Sequence, residues 1–343
     1  MKILFLGGTR FLGRHAVEAA LARGHEVTLF NRGESGPELF PEAERLVGDR
    51  KEDVSALRGR SWDAVVDTSA YVPRTVRMVA EALADTAAQY LFVSTLAVFR
   101  LDVQRFIDDD SPLVELEDPD TEEVGFRTYG GLKLLCERAA EAAFPGRTTV
   151  VRPGLLVGPH DTSGRFRYWL LRAAEGGEVL APGHPDRHWQ FVDARDVAAW
   201  MVRMLEEGTT GTFAAPGAYK AWTAGQVLDA MREASGSDAR FTWADDRFLW
   251  EHGVQPWSGL PYWMPPPPDP WPDLHRIPVD RAVAAGLSFR PLADTVRDAL
   301  AWELAHPDRP TEEPVGITRQ HEREVLEAWH RARAATEVAA PRA

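Results

Sequence analysis

The chain opens with Lys2-Ile3-Leu4-Phe5-Leu6-Gly7-Gly8-Thr9-Arg10-Phe11-Leu12-Gly13, and this stretch decides the fold. A short apolar run precedes the glycines, and apolar residues at helical spacing follow them as far as Gly24. The pattern predicts a buried strand, a tight turn and a helix, the context in which a helix N-terminus binds the pyrophosphate of a dinucleotide. An ordinary βα turn is the alternative interpretation.

A second apolar run, Glu26–Phe30, ends at Asn31-Arg32, where an NAD site usually carries an acidic residue for the ribose hydroxyls. That carboxylate is absent. Together with Arg10, these residues offer neutral or cationic donors of the kind that a 2′-phosphate requires. The sequence therefore favours NADP(H) over NAD(H) as the cofactor. The alternative is that Arg32 is a solvated loop residue.

A tyrosine and a lysine stand four residues apart in Tyr129-Gly130-Gly131-Leu132-Lys133, in a chain that has only four lysines. One helical turn separates them, so both side chains lie on the same face of a helix. A cation beside a phenol favours the phenolate and brings the pKa of the phenol toward neutrality, which suits proton transfer. An exposed pair on an ordinary amphipathic helix is the alternative.

These motifs, with others in the same order, resemble the extended short-chain dehydrogenase/reductase superfamily, in its NAD-dependent epimerase/dehydratase branch. The further matching segments are Ala64–Asp67, Phe92–Phe99, Val151–Pro159 and Arg187–Val197. The resemblance implies an α/β fold, a doubly wound parallel (Rossmann) sheet with a smaller C-terminal substrate lobe. Two departures from the family pattern are Arg10, in place of the middle glycine, and Asn31-Arg32, in place of the acidic residue.

The resemblance also implies roles for individual residues. Thr95, Tyr129 and Lys133 are the expected catalytic residues, and Ser94 is the near miss for the catalytic hydroxyl. The expected dinucleotide contacts are Gly7, Thr9, Arg10, Phe11, Leu12, Gly13, Asn31, Arg32, Asp49, Thr68, Ser69, Ser94, Tyr129, Lys133 and Pro153. The expected substrate contacts are Thr95, Arg187 and Gln190.

The expected domains follow the same resemblance. Residues 1–160, with about 186–215, are expected to form the dinucleotide-binding domain. The substrate lobe is expected to comprise about 161–185 and 216–310, and residues 311–343 are predicted to be a C-terminal helix with a frayed tail. A Trp- and Pro-rich region, 222–271, could wall a substrate pocket or build the core of this lobe.

Composition narrows the classes of protein. A net charge of −13 argues against broad binding to nucleic acid or anionic membranes. The single cysteine, Cys136, excludes an intramolecular disulfide, and no histidine has the spacing of a metal ligand, so no metal is predicted. With no secretory leader and no membrane span in the sequence, we expect a cytoplasmic protein. An acidic insertion, 101–124, is expected to be a solvated loop that could form a negative rim at the substrate mouth.

Three functions remain open from the sequence. The first is an NADP(H)-dependent oxidoreductase that interconverts a carbonyl and an alcohol on a small polar substrate. The second is a sugar or nucleotide-sugar epimerase or dehydratase that recycles NAD(P) internally. The third is a non-catalytic cofactor-binding regulator or RNA-associated protein, since the sequence also resembles RNA-binding chloroplast members of the superfamily. A homodimer is expected to be possible, with a small molecule as the partner.

Overall fold

The computed structural model describes residues 1–100, 107–265 and 274–339. Its strands, in chain order, are β1 (Lys2–Leu6), β2 (Glu26–Asn31), β3 (Glu44–Val47), β4 (Trp62–Asp67), β5 (Ala87–Val93), β6 (Thr148–Pro153), β7 (Leu156–Val157), β8 (Glu178–Pro182), β9 (Val192–Asp193), β10 (Gly211–Ala215) and β11 (Arg240–Ala244). Its α-helices are α1 (Phe11–Ala22), α2 (Pro73–Leu83), α3 (Tyr129–Ala143), α4 (Arg165–Glu175), α5 (Ala194–Glu207), α6 (Ala224–Ser235), α7 (Asp246–Glu251), α8 (Asp280–Ala284), α9 (Leu292–Ala305) and α10 (Arg319–Ala339). No helix in these ranges is long and apolar enough to cross a membrane.

Seven parallel strands form the central sheet in the order β10-β6-β5-β4-β1-β2-β3. The chain first moves outward from β1 to β3 and then crosses back to β4 on the other side of β1. The order therefore reverses between β1 and β4, at the kind of position where open parallel sheets bind ligands. The predicted doubly wound sheet is confirmed.

The two faces of the sheet are covered by different helices because side chains alternate along each strand. Ile3 and Phe5 pack with α1 and α5, whereas Leu4 and Leu6 pack with α2 and α3. All four of these β1 side chains are fully buried. The first strand is consequently the centre of two cores, which is why the opening stretch of sequence has so much influence on the fold.

The chain forms two compact units. The first comprises residues 1–156, 190–219 and 270–289, and the second comprises 157–189, 220–269 and 290–343. The sequence assigned residues 270–289 to the substrate lobe, but the described part of that segment packs on the first unit. Apolar packing is the reason, because Val279 and Leu287 belong to the same buried cluster as Trp200.

In the second unit, β8 pairs with β11 and helix α10 is anchored by a buried ion pair. The Arg172 Nε lies 2.8 Å from Glu322 Oε2, and Leu180 N donates to the same carboxylate at 3.1 Å. The expected C-terminal helix is therefore present, although it begins at Arg319 rather than at Thr311. The expected frayed tail, 340–343, lies outside the described residues.

Aromatic side chains of the second unit form core rather than an open wall. Trp169, Trp189, Tyr262 and Trp263 are all buried, and the rings of Trp189 and Tyr262 stack at 5.2 Å between centroids. These contacts favour the interpretation in which the Trp- and Pro-rich region builds the core of the lobe rather than the wall of a substrate pocket. Most of its proline run and Trp271 fall in residues 266–273, outside the described part of the chain.

Residues 107–114 of the acidic insertion are docked on the protein, whereas residues 115–124 are mostly exposed, as expected for a solvated loop. Leu113 bridges Phe99 in antiparallel fashion, and Ile107 is buried. The Asp109 carboxylate accepts a hydrogen bond of 3.1 Å from the backbone N–H of Ala214 in the edge strand β10. Apolar residues among the acidic ones supply the reason, because Ile107 and Leu113 pack into a small cluster beside α3. Residues 101–106 of the insertion are not described.

Candidate active site

The candidate site lies on the first unit, at the carboxyl ends of β1, β4 and β5. The loops that follow these three strands begin at Gly7, Thr68 and Ser94, and helix α3 begins at Tyr129. Parallel strands bring their carboxyl ends to one edge of the sheet, so residues distant in sequence meet there.

The glycine turn after β1 leaves room that a side chain would fill. Gly7 has φ of +100°, and a Cβ added to it would lie 3.0 Å from Thr68 Oγ1. A Cβ on Gly13 would lie 2.9 Å from the same oxygen, so α1 packs closely beneath the turn. The hydroxyls of Thr68 and Ser69 both donate to the carbonyl of Leu6, at 3.2 and 3.1 Å.

Helix α1 begins at this turn, and no side-chain hydrogen bond caps its N-terminus. The N–H groups of its first turn therefore point out of the helix end without a capping acceptor. Thr9, Arg10, Phe11 and Leu12 form the turn and the first residues of the helix. A glycine cradle followed by an uncapped helix N-terminus fits a pyrophosphate. Gly7, Gly13 and the residues between them would hold that part of a dinucleotide.

Two expected dinucleotide contacts, Asn31 and Asp49, bind groups of the protein itself. The side-chain amide of Asn31 donates to Gly7 O and accepts from Gly33 N, both at 3.0 Å, so Asn31 braces the glycine turn. Asp49 accepts from Lys51 N at 2.9 Å and stabilises its own loop. Sequence reasoning could not distinguish these local roles from direct contact with a cofactor.

The two arginines proposed for a 2′-phosphate lie in different electrostatic surroundings. Arg32 Nη2 lies 2.8 Å from Glu34 Oε2, and more than half of each side chain is exposed. Arg10 is exposed and has no ion-pair partner within the described ranges of the chain. An exposed ion pair contributes little, so an incoming anion could displace Glu34 from Arg32.

Lys133 is buried, with 3% of its surface exposed. Its ammonium donates to the carbonyls of Ala70 at 2.8 Å and Val93 at 2.6 Å. Burial lowers the pKa of Lys133 from 10.5 to about 8, so the side chain is still mainly charged at neutral pH. The ammonium thus ties the loops after β4 and β5 to helix α3.

Tyr129 lies at the start of α3 and is half-buried. Its ring centroid is 6.2 Å from that of Tyr71, and the Lys133 Nζ is 5.4 Å from the centroid of the Tyr71 ring. Tyr71 is not among the residues predicted from the sequence. It lies in the loop after β4, directly behind Thr68-Ser69-Ala70, and a large aromatic residue at a predicted ligand-binding edge is the signal that could have identified it.

Thr95 is half-buried, and its hydroxyl oxygen accepts from Ala97 N at 3.2 Å. The segment that carries Thr95 touches the start of α3. A Cβ added to Gly130 would lie 2.0 Å from Ala97 O, so only glycine permits this approach. Gly130 therefore sets the spacing between the segments that bear Thr95 and Tyr129.

A buried ionic network supports the segment behind Thr95. The hydroxyl of Ser94 donates to Glu137 Oε1, and Arg152 forms a two-point ion pair with the same carboxylate at 3.0 and 2.7 Å. Ser94 was expected near the dinucleotide, yet its hydroxyl is directed to Glu137. Pro153, which follows Arg152, is buried in β6. Glu137 lies one turn beyond Lys133, and neither it nor Arg152 was predicted.

A second buried network lies at the end of β4. Arg50 binds both carboxylate oxygens of Asp67, at 2.6 and 2.7 Å, and the Tyr90 hydroxyl donates to Asp67 at 2.7 Å. Burial opposes the charge on Asp67, but Arg50 and Tyr90 hold the pKa of that carboxyl below its usual range. Arg50 also donates to Ser69 Oγ at 3.2 Å, which fixes the loop beside Gly7.

The expected substrate residues Gln190 and Arg187 each bind partners within their own unit. Gln190, in the first unit, donates to Gly217 O and Ile277 O and accepts from Ile277 N, at 2.8 to 3.0 Å. Arg187, in the second unit, forms a two-point ion pair with Asp246. Both side chains act in the scaffold of their own unit. No group of acidic, histidine or cysteine side chains within the described ranges could hold a metal ion.

A glycine cradle at an uncapped helix N-terminus, at the switch point of a doubly wound parallel sheet, defines a dinucleotide-binding class of protein. The chain belongs to the NAD dependent epimerase/dehydratase family, whose model matches residues 3–215. The family predicted from the sequence is confirmed.

One relative in sequence is the chloroplast stem-loop binding protein of 41 kDa b of Arabidopsis thaliana. Identity is 26% over 221 residues, which is 60% of this chain and 55% of that protein, so the chain spans little more than half of the relative. A structural relative is the Bordetella bronchiseptica enzyme WbmH in complex with NAD+, with 18% identity, TM-score 0.63, and coverage of 89% of this chain and 98% of that one. Another is UDP-glucuronic acid 4-epimerase from Bacillus cereus in complex with NAD, with 16% identity, TM-score 0.62, and coverage of 89% and 99%. The structural similarity shows a shared fold.

Gly130→Ala should reduce turnover about a hundredfold while dinucleotide affinity changes little, because the added methyl group pushes α3 away from Ala97 and misplaces Tyr129. Gly125→Ala is the matched control, since a Cβ there meets only Thr128 Oγ1, at 3.9 Å. Steady-state kinetics and dinucleotide titrations measure both quantities. Equal turnover in the two variants would show that the close approach has no role in positioning the tyrosine.

Proposed function

We propose that the protein is an NADP(H)-dependent oxidoreductase that interconverts a carbonyl and an alcohol on a small polar substrate. The observation that carries the proposal is the joint placement of Tyr129, Lys133 and the Thr95 segment at the sheet edge that also bears the glycine cradle. A bound dinucleotide supplies or accepts the hydride in this chemistry.

The protein's own side chains have separate tasks in this reaction. Tyr129 transfers a proton to or from the substrate oxygen, which its position at the exposed end of the helical face allows. Lys133 holds positive charge one turn away and favours the phenolate. Thr95 can donate its hydroxyl proton to the substrate oxygen, because the hydroxyl oxygen already accepts from Ala97 N.

The preference for NADP(H) rests on charge around the end of β2. Arg10 carries no ion pair in the described ranges, and Arg32 is bound only to the exposed carboxylate of Glu34. A 2′-phosphate could recruit both guanidinium groups, whereas no carboxylate follows β2 directly to bind the ribose hydroxyls of NAD.

A second candidate is a sugar or nucleotide-sugar epimerase or dehydratase, in which the dinucleotide stays bound and recovers its hydride. The match to the epimerase/dehydratase family supports it, as does a structural relative named as a UDP-glucuronic acid 4-epimerase. Thr95, Tyr129 and Lys133 would have the same roles in that reaction. A retained cofactor after purification, with no net change in reduced nicotinamide during turnover, would favour this candidate.

A third candidate, from another class, is an RNA-associated or regulatory protein. Its support is the name of the Arabidopsis relative. A net charge of −13 and a complete set of Thr95, Tyr129 and Lys133 argue against it.

For its partners and location, we propose a small-molecule substrate, no nucleic acid or membrane partner, a cytoplasmic location and the capacity to form a homodimer.

Tyr129→Phe should lose about a hundredfold or more in rate and still bind dinucleotide, since it removes only the transferable proton. The amount of reduced nicotinamide is followed during reaction with a panel of carbonyl substrates. In parallel, the products formed from nucleotide sugars are analysed. Stoichiometric oxidation of the reduced cofactor supports the oxidoreductase, and product formation without net oxidation supports the epimerase. Near-normal rates in the variant would refute the role of Tyr129 in either reaction.

Replacement of both Arg10 and Arg32 by Ala should weaken NADP binding about tenfold or more and leave NAD binding nearly unchanged. Glu34→Ala provides the opposite change: it removes the carboxylate that competes for Arg32, so NADP should bind more tightly. Calorimetric titration of each protein with both dinucleotides gives the affinities. Equal losses for NADP and NAD in the double variant would contradict the assignment.

A further inference from the structure

Phe126 is the most exposed large apolar side chain in the described ranges, at 97%. It lies on a turn that hydrogen bonds hold firmly. Tyr129 N donates to Gly125 O at 2.8 Å, and the Thr128 hydroxyl accepts from Gly125 N at 2.9 Å and donates to Glu123 O at 2.5 Å. The exposure of Phe126 is therefore a property of an ordered turn, and it becomes informative only where other apolar groups lie on the same surface.

The turn places Phe126 in line with the proposed catalytic residues. The bond from Tyr129 N to Gly125 O closes a helical turn that runs directly into α3. Residues three and four apart in such a turn lie on the same side, so Phe126, Tyr129 and Lys133 form one column. In this column Phe126 is exposed, Tyr129 is half-buried and Lys133 is buried.

Tyr71 adds a second exposed aromatic beside this column. It is 49% exposed, and its ring centroid lies 6.2 Å from that of Tyr129. Its backbone is fixed because the preceding residue, Ala70, accepts a hydrogen bond from Lys133. The half-buried phenol of Tyr129 is therefore accompanied by two exposed aromatic groups, each on a tethered segment.

The charge near Phe126 disfavours an anionic substrate. Six carboxylates precede it within residues 115–123, and they outnumber the neighbouring cations, which are Arg127 beside Phe126, Arg74 bound to Glu122 at 2.7 Å, and Arg77 near the same carboxylate. A diphosphate brought to this turn would meet net negative charge. The aromatic groups and the carboxylates thus point to the same kind of ligand, an uncharged molecule with an apolar surface.

We propose that Phe126 and Tyr71 determine specificity by contacting an apolar or aromatic substituent of the substrate, next to the oxygen served by Tyr129. The substrate class is then an uncharged ketone or aldehyde that carries an aryl or similarly apolar group, rather than a nucleotide sugar. This inference rests on the proposed function and narrows its substrate: the reacting group is polar, and its neighbouring substituent is not.

The test compares two ketones that differ only in one substituent, acetophenone and acetone. Their binding to the full-length protein is measured by ligand-observed NMR titration with oxidised dinucleotide present, so that no reduction occurs. The phenyl compound should bind about tenfold more tightly than the methyl compound. Phe126→Ala and Tyr71→Ala should each remove most of that difference and leave acetone binding nearly unchanged.

Val124→Ala is the control, because Val124 precedes the same turn and is 48% exposed but lies outside the column. It should bind both ketones as the unaltered protein does. Equal affinity for the two compounds, an unchanged preference in Phe126→Ala, or tighter binding of UDP-glucose than of either would overturn the inference. The proposed function fails separately, on near-normal turnover by Tyr129→Phe, because this titration measures binding without reaction.

Discussion

The candidate site depends on one buried charge, the ammonium group of Lys133. Its hydrogen bonds to Ala70 O and Val93 O join the ends of two neighbouring strands to helix α3. A buried cation without partners would be strongly destabilising, so the surrounding backbone must keep these carbonyls in place. The same constraint fixes the helical face that carries Tyr129 and holds the backbone next to Tyr71. Structural support and the proposed acid–base chemistry therefore share one residue.

Two buried ionic networks extend this support away from the sheet edge. Glu137 and Arg152 hold Ser94, and Arg50 with Asp67 holds the loop that contains Ser69. Both networks place their charges behind the site. The groups left at the edge are a phenol, a hydroxyl and a glycine cradle, which suits the binding of a large cofactor and of an uncharged reacting group.

Local patterns allowed much of the fold to be predicted from the sequence. The glycine turn depends on residues adjacent in the chain, and the Tyr129–Lys133 spacing needs only a helix. Roles that depend on distant partners could not be read in this way. The side chain of Gln190, for example, donates a hydrogen bond to the backbone carbonyl of Ile277, 87 residues away. Arg50 has a role only because Asp67 ends a buried strand beside it, and the exposure of Phe126 follows from a turn whose hydrogen bonds the sequence does not display.

The central claim is that the Lys133 charge controls the ionisation of Tyr129, and NMR titration of ring-labelled tyrosine tests it most directly. The dinucleotide-bound protein is compared with Lys133→Met, after both are checked for folding. We predict that the Tyr129 phenol loses its proton at a lower pH in the unaltered protein than in the variant. The same pKa in both proteins would contradict it, because the ammonium would then have no influence on the group that is proposed to carry the proton.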